Sequence, residues 1–254
     1  MNEKNALIVG IKTEKSVGMA IAQKLKGAGS NIYATYPDET VYEGVKSVAD
    51  SLGIKKLFKY DARKDEDLEQ LAQAIKAEGI LLDCLVHDLS YGTVPGAKLN
   101  QPLLNVGWDE FADAIRVEAF SLVELSGKLL DNFQEGASIL AFTNHWSKIA
   151  IPNFNLLGST KAALESIIRG LAESLGKSKK IKVNGISPGY FYNDSLARVG
   201  DTLEILERAK NRTPLKRNVT RADIASLAVS ILDNNSITGT IYTIDCGEEI
   251  IGNL

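Results

Sequence analysis

Residues 151–161 read Ile-Pro-Asn-Phe-Asn-Leu-Leu-Gly-Ser-Thr-Lys, and the pair with chemical consequence is Phe154 with Lys161. Seven residues are two turns of helix, so the two side chains share a face. An ammonium in that place favours the charged form of a neighbouring phenol and draws its pKa toward working pH, as general acid chemistry requires. Residue 154 is a phenylalanine, and its ring donates no proton. Lys161 is therefore a cation beside a ring without a hydroxyl, and any proton must come from another group.

A second chemical signature lies near the amino terminus. After the apolar run Ala6 to Gly10 comes Ile-Lys-Thr-Glu-Lys-Ser16-Val17-Gly18-Met-Ala, and then an amphipathic stretch with Ile21, Ala22 and Leu25. A strand, a tight turn and a helix amino terminus converge free backbone N–H groups and the helix dipole on one point, which suits an anion. The spacing departs from G-x-G-x-x-G, so a plain packing turn is the competing reading. The next strand ends Ala34-Thr35-Tyr36-Pro37-Asp38, without an acid in the usual place for clamping a ribose diol. Asp38 is one group that reaches such a ribose; Lys12 or Lys15 facing an extra phosphate is the alternative. The choice between NAD(H) and NADP(H) is open at this point.

These residues need a scaffold, and the pattern supplies one. Short runs of branched aliphatics at Ala6–Gly10, Asn31–Tyr36, Lys56–Tyr60, Leu81–His87, Ser138–Thr143, Ile181–Ser187 and Thr240–Ile244 alternate with stretches of helical period. This predicts an α/β fold, a single doubly wound parallel sheet of seven strands of Rossmann type, with ligands at the carboxyl ends of the strands. Residues 1–254 read as one domain without linker or repeat. The longest helix is expected from Asn155 to Leu175, and its apolar positions exceed one stripe, which predicts a homo-oligomer, dimer or tetramer. Residues 190–212 read as a helical substrate lid, with a helical pattern at Thr202–Ala209.

Composition narrows the classes. Twenty-nine Lys and Arg against 32 Asp and Glu leave a net charge of −3, with no basic patch for nucleic acid. The densest basic run, Lys177 to Lys182, falls at a helix end and reads as solvated surface. Cys84 and Cys246 lie in apparent buried strands without partner spacing, so no disulfide framework and no metal site are expected. No apolar run approaches membrane-spanning length, and the amino terminus leads straight into a strand, so a cytoplasmic protein is expected.

Taken together, Gly10 to Ile21, Tyr60-Asp61-Ala62, His87 to Tyr91, Ala150 to Lys161, Val183 to Gly189 and Thr213 to Val219 resemble the enoyl-acyl-carrier-protein reductases, a branch of the short-chain dehydrogenases/reductases. The resemblance covers nearly the whole chain. It implies a nicotinamide dinucleotide and hydride transfer to the β carbon of an enoyl thioester, with an acyl thioester as partner and acyl carrier protein as its possible carrier. By resemblance, Gly10, Ser16, Val17, Asp61, Ala62, Thr143, Lys161, Pro188, Gly189 and Asn193 hold the cofactor, with Lys161 on the nicotinamide ribose.

The departures from the family lie where the chemistry should be. The family has a tyrosine at the position of Phe154 and commonly another at that of Asn144; neither is present. The strand-four turn reads Asp88-Leu89-Ser90 where a glycine usually lets the backbone approach the cofactor. Asp88, expected near adenosine, either bonds a ribose hydroxyl or repels the pyrophosphate. Glu118 falls near the superfamily's water-holding asparagine and reads as a surface or helix-terminal glutamate. Losing one oxyanion donor costs about a hundred- to a thousandfold in rate, so the expected enzyme is a slow one. Substitutes for the missing hydroxyl are Tyr91, Tyr190, Tyr192 and the ribose hydroxyl held by Lys161. His145, beside Asn144, has an unperturbed pKa near 6.5 and is another, with a capping or solvent-exposed role as its alternative; His87 reads as a core residue. The alternative function is a non-redox lyase or isomerase, or a ligand-binding pseudoenzyme; Asn144, His145 and Trp146 would make its pocket wall.

Overall fold

The computed structural model describes residues 4–152, 154–193, 195–198 and 201–251. The strands are β1 (Asn5–Val9), β2 (Asn31–Tyr36), β3 (Lys56–Lys59), β4 (Leu82–His87), β5 (Phe133–Phe142), β6 (Lys182–Pro188) and β7 (Ile241–Ile244). They form one parallel sheet in the order β3-β2-β1-β4-β5-β6-β7. The chain winds outward one way from β1 and the other way from β4, so the topological switch lies between these two strands, above their carboxyl ends.

Alternation along the strands explains the two layers. In β1, Leu7 and Val9 face a core shared with α3 (Asp65–Ala77), α5 (Ser121–Lys128) and α6 (Asn155–Lys179). Ala6 and Ile8 face the opposite core, under α1 (Val17–Gly27), α2 (Glu39–Leu52) and α8 (Arg221–Asp233). β5 repeats the split, with Ile139 and Ala141 on the first face and Leu140 and Phe142 on the second. A strand buried on both faces has no polar side, which is why the strands read as continuous apolar runs.

α4 (Trp108–Ile115) runs into α5 through a π-helical turn, Arg116–Phe120. α7 (Thr202–Arg212) follows β6 and is capped by Asp201, whose carboxylate accepts from Leu203 N and Glu204 N. Among the described residues no helix is long and apolar enough to cross a membrane.

Several expectations are corrected. β5 begins at Phe133, not Ser138: Phe133 pairs with Leu82, the register shifts before Cys84, and exposed Gln134, Glu135 and Gly136 interrupt the apolar pattern. α6 ends at Lys179, beyond Leu175, with Lys180 in the left-handed region. Lys182 is not solvated; it is buried, with its ammonium donating to Asn234 O and Asn235 Oδ1. Cys246 lies past β7 at positive φ, not in a strand. Asn153 of the 151–161 segment, and Asp194, Val199 and Gly200 of the expected lid, lie outside the described residues.

Candidate active site

The first turn of α1 is built for close approach. Gly10 has φ +104°, and a Cβ there would lie 2.3 Å from the Asp88 carbonyl oxygen, so only glycine fits. Ser16 caps the helix by accepting from Met19 N at 3.3 Å. The Gly18 amide donates to Asp88 Oδ2 at 2.6 Å. A carboxylate of the chain itself thus holds one first-turn N–H of α1.

A groove of two lobes crosses the carboxyl ends of the strands. The inner lobe, about 190 Å³, is bordered by Ser16, Val17, Asp88, Glu118, Thr143, Lys161, Pro188, Gly189 and Asn193. The outer lobe, about 250 Å³, is bordered by Asp38, Asp61, Ala62, Arg63 and Arg198. Gly10, Lys12, Leu89, Ser90 and Thr93 line both, so the lobes join over the switch point. In the outer lobe Arg63 Nε and Nη2 donate to Asp61 at 3.0 and 2.7 Å. Burial pushes the Asp61 carboxyl up, but the Arg63 hydrogen bonds and charge outweigh it and hold the pKa below the ordinary value. Asp38 accepts from Thr40 N at 2.8 Å, capping α2.

The inner lobe holds a cluster of charged groups, two of them buried. Lys161, buried, donates to Phe142 O at 2.8 Å and forms an ion pair with Glu118 Oε2. Glu118 is fully buried; its Oε1 accepts from Tyr91 N at 2.6 Å and from Ser90 Oγ at 3.2 Å. The surface reading of Glu118 is therefore wrong. The π-helical turn admits one extra residue between α4 and α5 and aims this side chain at α6. Burial pushes the Asp88 carboxyl up to about 7, against the lowering by the Gly18 amide, Lys161 and Lys12. Burial, and then the Arg198 charge, lower Lys12 to about 8.

Beyond Lys161 the wall is aromatic. Trp146 sits 5.8 Å from the Phe154 ring, centroid to centroid, and its Nε1 donates to Tyr190 Oη at 3.3 Å. His145 meets Tyr190 edge-on at 5.6 Å. Asn144 Oδ1 accepts from Trp146 N at 3.1 Å, which fixes the turn that carries the indole.

A model of the family described as enoyl-(acyl carrier protein) reductase matches residues 10–249. The chain belongs to that family. A relative from Rickettsia typhi, named enoyl-[acyl-carrier-protein] reductase [NADH], is 31% identical over 251 residues, 98% of this chain and 95% of the relative. A Bacillus cereus enoyl-acyl carrier protein reductase solved with NADP+ and an indole naphthyridinone superposes with a TM-score of 0.93 at 28% identity, covering 98% of each chain. An Anaplasma phagocytophilum member in complex with NAD gives 0.91 at 28% identity, covering 98% of this chain and 95% of that one.

Against that enoyl reductase framework, the expected site residues separate into groups. Lys161, Gly10, Ser16, Val17, Asp88, Ser90, Thr143, Pro188, Gly189 and Asn193 come together at the inner lobe, with Asn144, His145 and Tyr190. Asp61 and Ala62 line the outer lobe. Asp88, expected near adenosine, stands at α1 on the inner lobe and accepts from the Gly18 amide. The Tyr91 ring packs into the core under the sheet, and only its amide serves the site, through Glu118. Tyr192 is exposed, with the Lys15 ammonium over its ring at 5.4 Å, and neither borders the groove. Phe154 leaves no vacancy: it is buried, the described lining of the inner lobe does not include it, and Trp146 packs over it. His145 is half-buried, and burial lowers its pKa. His87 is a core residue: Ser121 Oγ donates to Val117 O, so His87 Nε2 donates to Ser121 Oγ at 2.7 Å, and burial holds the ring neutral with a pKa of about 3.

Glu118 is what sequence reasoning missed, and the available signal was an acid in the apolar run Val117-Glu118-Ala119. Trp146, expected in a pocket wall with Asn144 and His145, lines the inner lobe with them.

Proposed function

We propose that the protein binds a nicotinamide dinucleotide along the two-lobed groove and reduces the carbon–carbon double bond of an enoyl thioester, slowly. The observation that carries this is the buried Lys161 ammonium bordering the inner of two lobes that join over Gly10, in a member of the enoyl reductase family. The residues fit a dinucleotide in shape and in cations: Asp61 and Ala62 would receive its adenosine end, Lys12, Ser16 and Val17 its pyrophosphate, and Thr143, Lys161, Pro188, Gly189 and Asn193 its nicotinamide half. Asp88 is the group that opposes it. When bound, the dinucleotide supplies hydride to the substrate β carbon.

The chain's own part is to bind, to orient and to meet the negative charge that grows on the thioester oxygen. A donor aimed at that oxygen is the largest electrostatic contribution a site of this kind makes. Tyr190 is the phenol bordering the inner lobe, and its oxygen accepts from Trp146 Nε1, which leaves its own O–H for the substrate. Burial raises its pKa, with the Trp146 hydrogen bond opposing, so it acts as a neutral donor and not as a phenolate. Residues 190–212 form the lid, and the whole chain works as one domain. Ala163, Ile167 and Leu171 make a half-buried stripe on α6 that a second copy of the chain would cover. The acyl chain arrives as a thioester, with acyl carrier protein as its carrier.

Fluorescence titration with NADH and NADPH, followed by NADH oxidation in the presence of a short 2-enoyl thioester, tests this. Saturable binding of at least one dinucleotide and slow, enoyl-dependent oxidation are expected. No binding of either at millimolar concentration overturns the proposal. The covered Phe154 favours one second reading, a non-redox or ligand-binding descendant, and dinucleotide binding without any enoyl reduction would select it.

A further inference from the structure

We propose that Asp88 is a specificity-determining residue of the groove: its carboxylate occupies the first-turn amide of α1 that an incoming pyrophosphate would use, so a dinucleotide binds with uptake of one proton. The inference rests on the dinucleotide reading above and concerns a residue with no part in that chemistry.

The geometry is interlocked. The Gly18 amide donates to Asp88 Oδ2 at 2.6 Å, and a Cβ on residue 18 would lie 3.0 Å from that same oxygen. A Cβ on residue 10 would strike the Asp88 carbonyl oxygen at 2.3 Å. Two glycines on the first βα turn therefore let this side chain reach the place where free amides and the helix dipole attract an anion. Three other charged groups act on Asp88: Lys12 from the loop before α1, Lys161 from α6, and Glu118 from the π-helical turn. Lys161 is already paired with Glu118 and Phe142 O, so Lys12, with Arg198 near enough to act on it, is left to offset an added phosphate charge. Lys12 itself donates to Thr93 O at 3.3 Å at the junction of the lobes. An ionised Asp88 and a pyrophosphate would place like charges at one seat. The protonated acid removes that repulsion, with the proton taken from solvent and no other covalent bond changed. Burial places this conversion near neutral pH, at a pKa of about 7.

The test is NADH affinity from about pH 6 to pH 9 for the parent, Asp88→Asn and Lys12→Met, with calorimetry at about pH 8 in two buffers of different ionisation enthalpy. NADH is the probe because its pyrophosphate does not titrate in this range. If only the protonated form binds, apparent Kd rises with the fraction ionised, by about tenfold at pH 8 and about a hundredfold at pH 9. The buffers then report uptake approaching one proton. Asp88→Asn is expected to bind about tenfold tighter than the parent at pH 8 and to show no slope below it. Lys12→Met, which removes the other group that titrates here, is expected to keep the slope. A parent Kd that is flat across the range overturns the proposal, as does an unchanged slope in Asp88→Asn. So does weaker binding by a folded Asp88→Asn at every pH, which would make Asp88 a ligand. Failure of the parent and both variants to bind at about pH 6 is a different outcome, and it overturns the dinucleotide reading together with this one.

Discussion

The two lobes of the groove hold their charges in different ways. In the outer lobe Asp61 meets Arg63 and Asp38 meets Thr40, each two residues along the chain. In the inner lobe Glu118 meets Lys161 from another helix, both buried, and half-buried Asp88 meets an amide seventy residues away. Local pairs form before the fold closes and lose little if broken. Distant pairs exist only in the finished fold, and breaking one strands a charge in a dry place.

The largest expected effect follows directly. Glu118→Ala leaves Lys161 buried without its partner and is expected to cost about 3–5 kcal/mol in urea unfolding. Asp38→Ala, which removes an exposed helix cap, is expected to cost about 1 kcal/mol. Equal costs would erase the distinction between the lobes.

Next comes the aromatic side of the inner lobe. Tyr190→Phe keeps the ring on Trp146 and His145 but removes the O–H, and a fall of about a hundred- to a thousandfold in kcat is expected, with NADH affinity unchanged. A variant that reduces enoyl thioester at the parental rate would move the donor to another group. His145, whose lowered pKa leaves it neutral at pH 7, would be examined first.

A smaller effect appears in the pH dependence of stability. Asp88 has a folded pKa of about 7 against an ordinary 3.8, a rise caused by burial. A raised carboxyl contributes stability below its unfolded pKa and loses it as pH climbs through the folded one. Stability should therefore decline between about pH 4 and pH 7, by about 2 kcal/mol once solvent access to the cleft is discounted. Asp88→Asn should remove that decline, read as the difference in unfolding free energy between about pH 5 and pH 8. A parallel decline in the variant would assign it to other groups.

The same contrast explains what the sequence made legible. The strands could be read because Leu7 and Val9 alternate with Ala6 and Ile8 between two apolar layers. Lys161 and Gly10 could be read because the motif around each is local in sequence, although the groups that they meet, Glu118, Phe142 and Asp88, are not. Glu118 could not, because nothing in the local sequence announces the π-helical turn that carries its side chain. Asp88 was recognised as out of place, but its partner was not, since nothing local links it to Gly18. The start of β5 was lost for a related reason: Gln134, Glu135 and Gly136 are exposed, and Phe133 rejoins the sheet only through Leu82.

The smallest expected effect concerns Phe154, where the sequence alone would place the largest. If the missing hydroxyl had left a vacancy beside Lys161, Phe154→Tyr would restore a family proton donor and raise kcat by about a hundredfold or more. The ring is instead buried beneath Trp146, whose indole reaches on to Tyr190. A hydroxyl added there faces an apolar wall and costs about 1–3 kcal/mol if it finds no partner. Phe154→Tyr is thus expected to leave kcat within about threefold of the parent and to lower the melting temperature. Trp146→Ala, by uncovering the ring, should make the same substitution count, so Phe154→Tyr in that background is expected to gain more than it does alone. A large gain from Phe154→Tyr by itself would mean that the indole swings aside during turnover, and that Tyr190 shares its task with the position it had replaced.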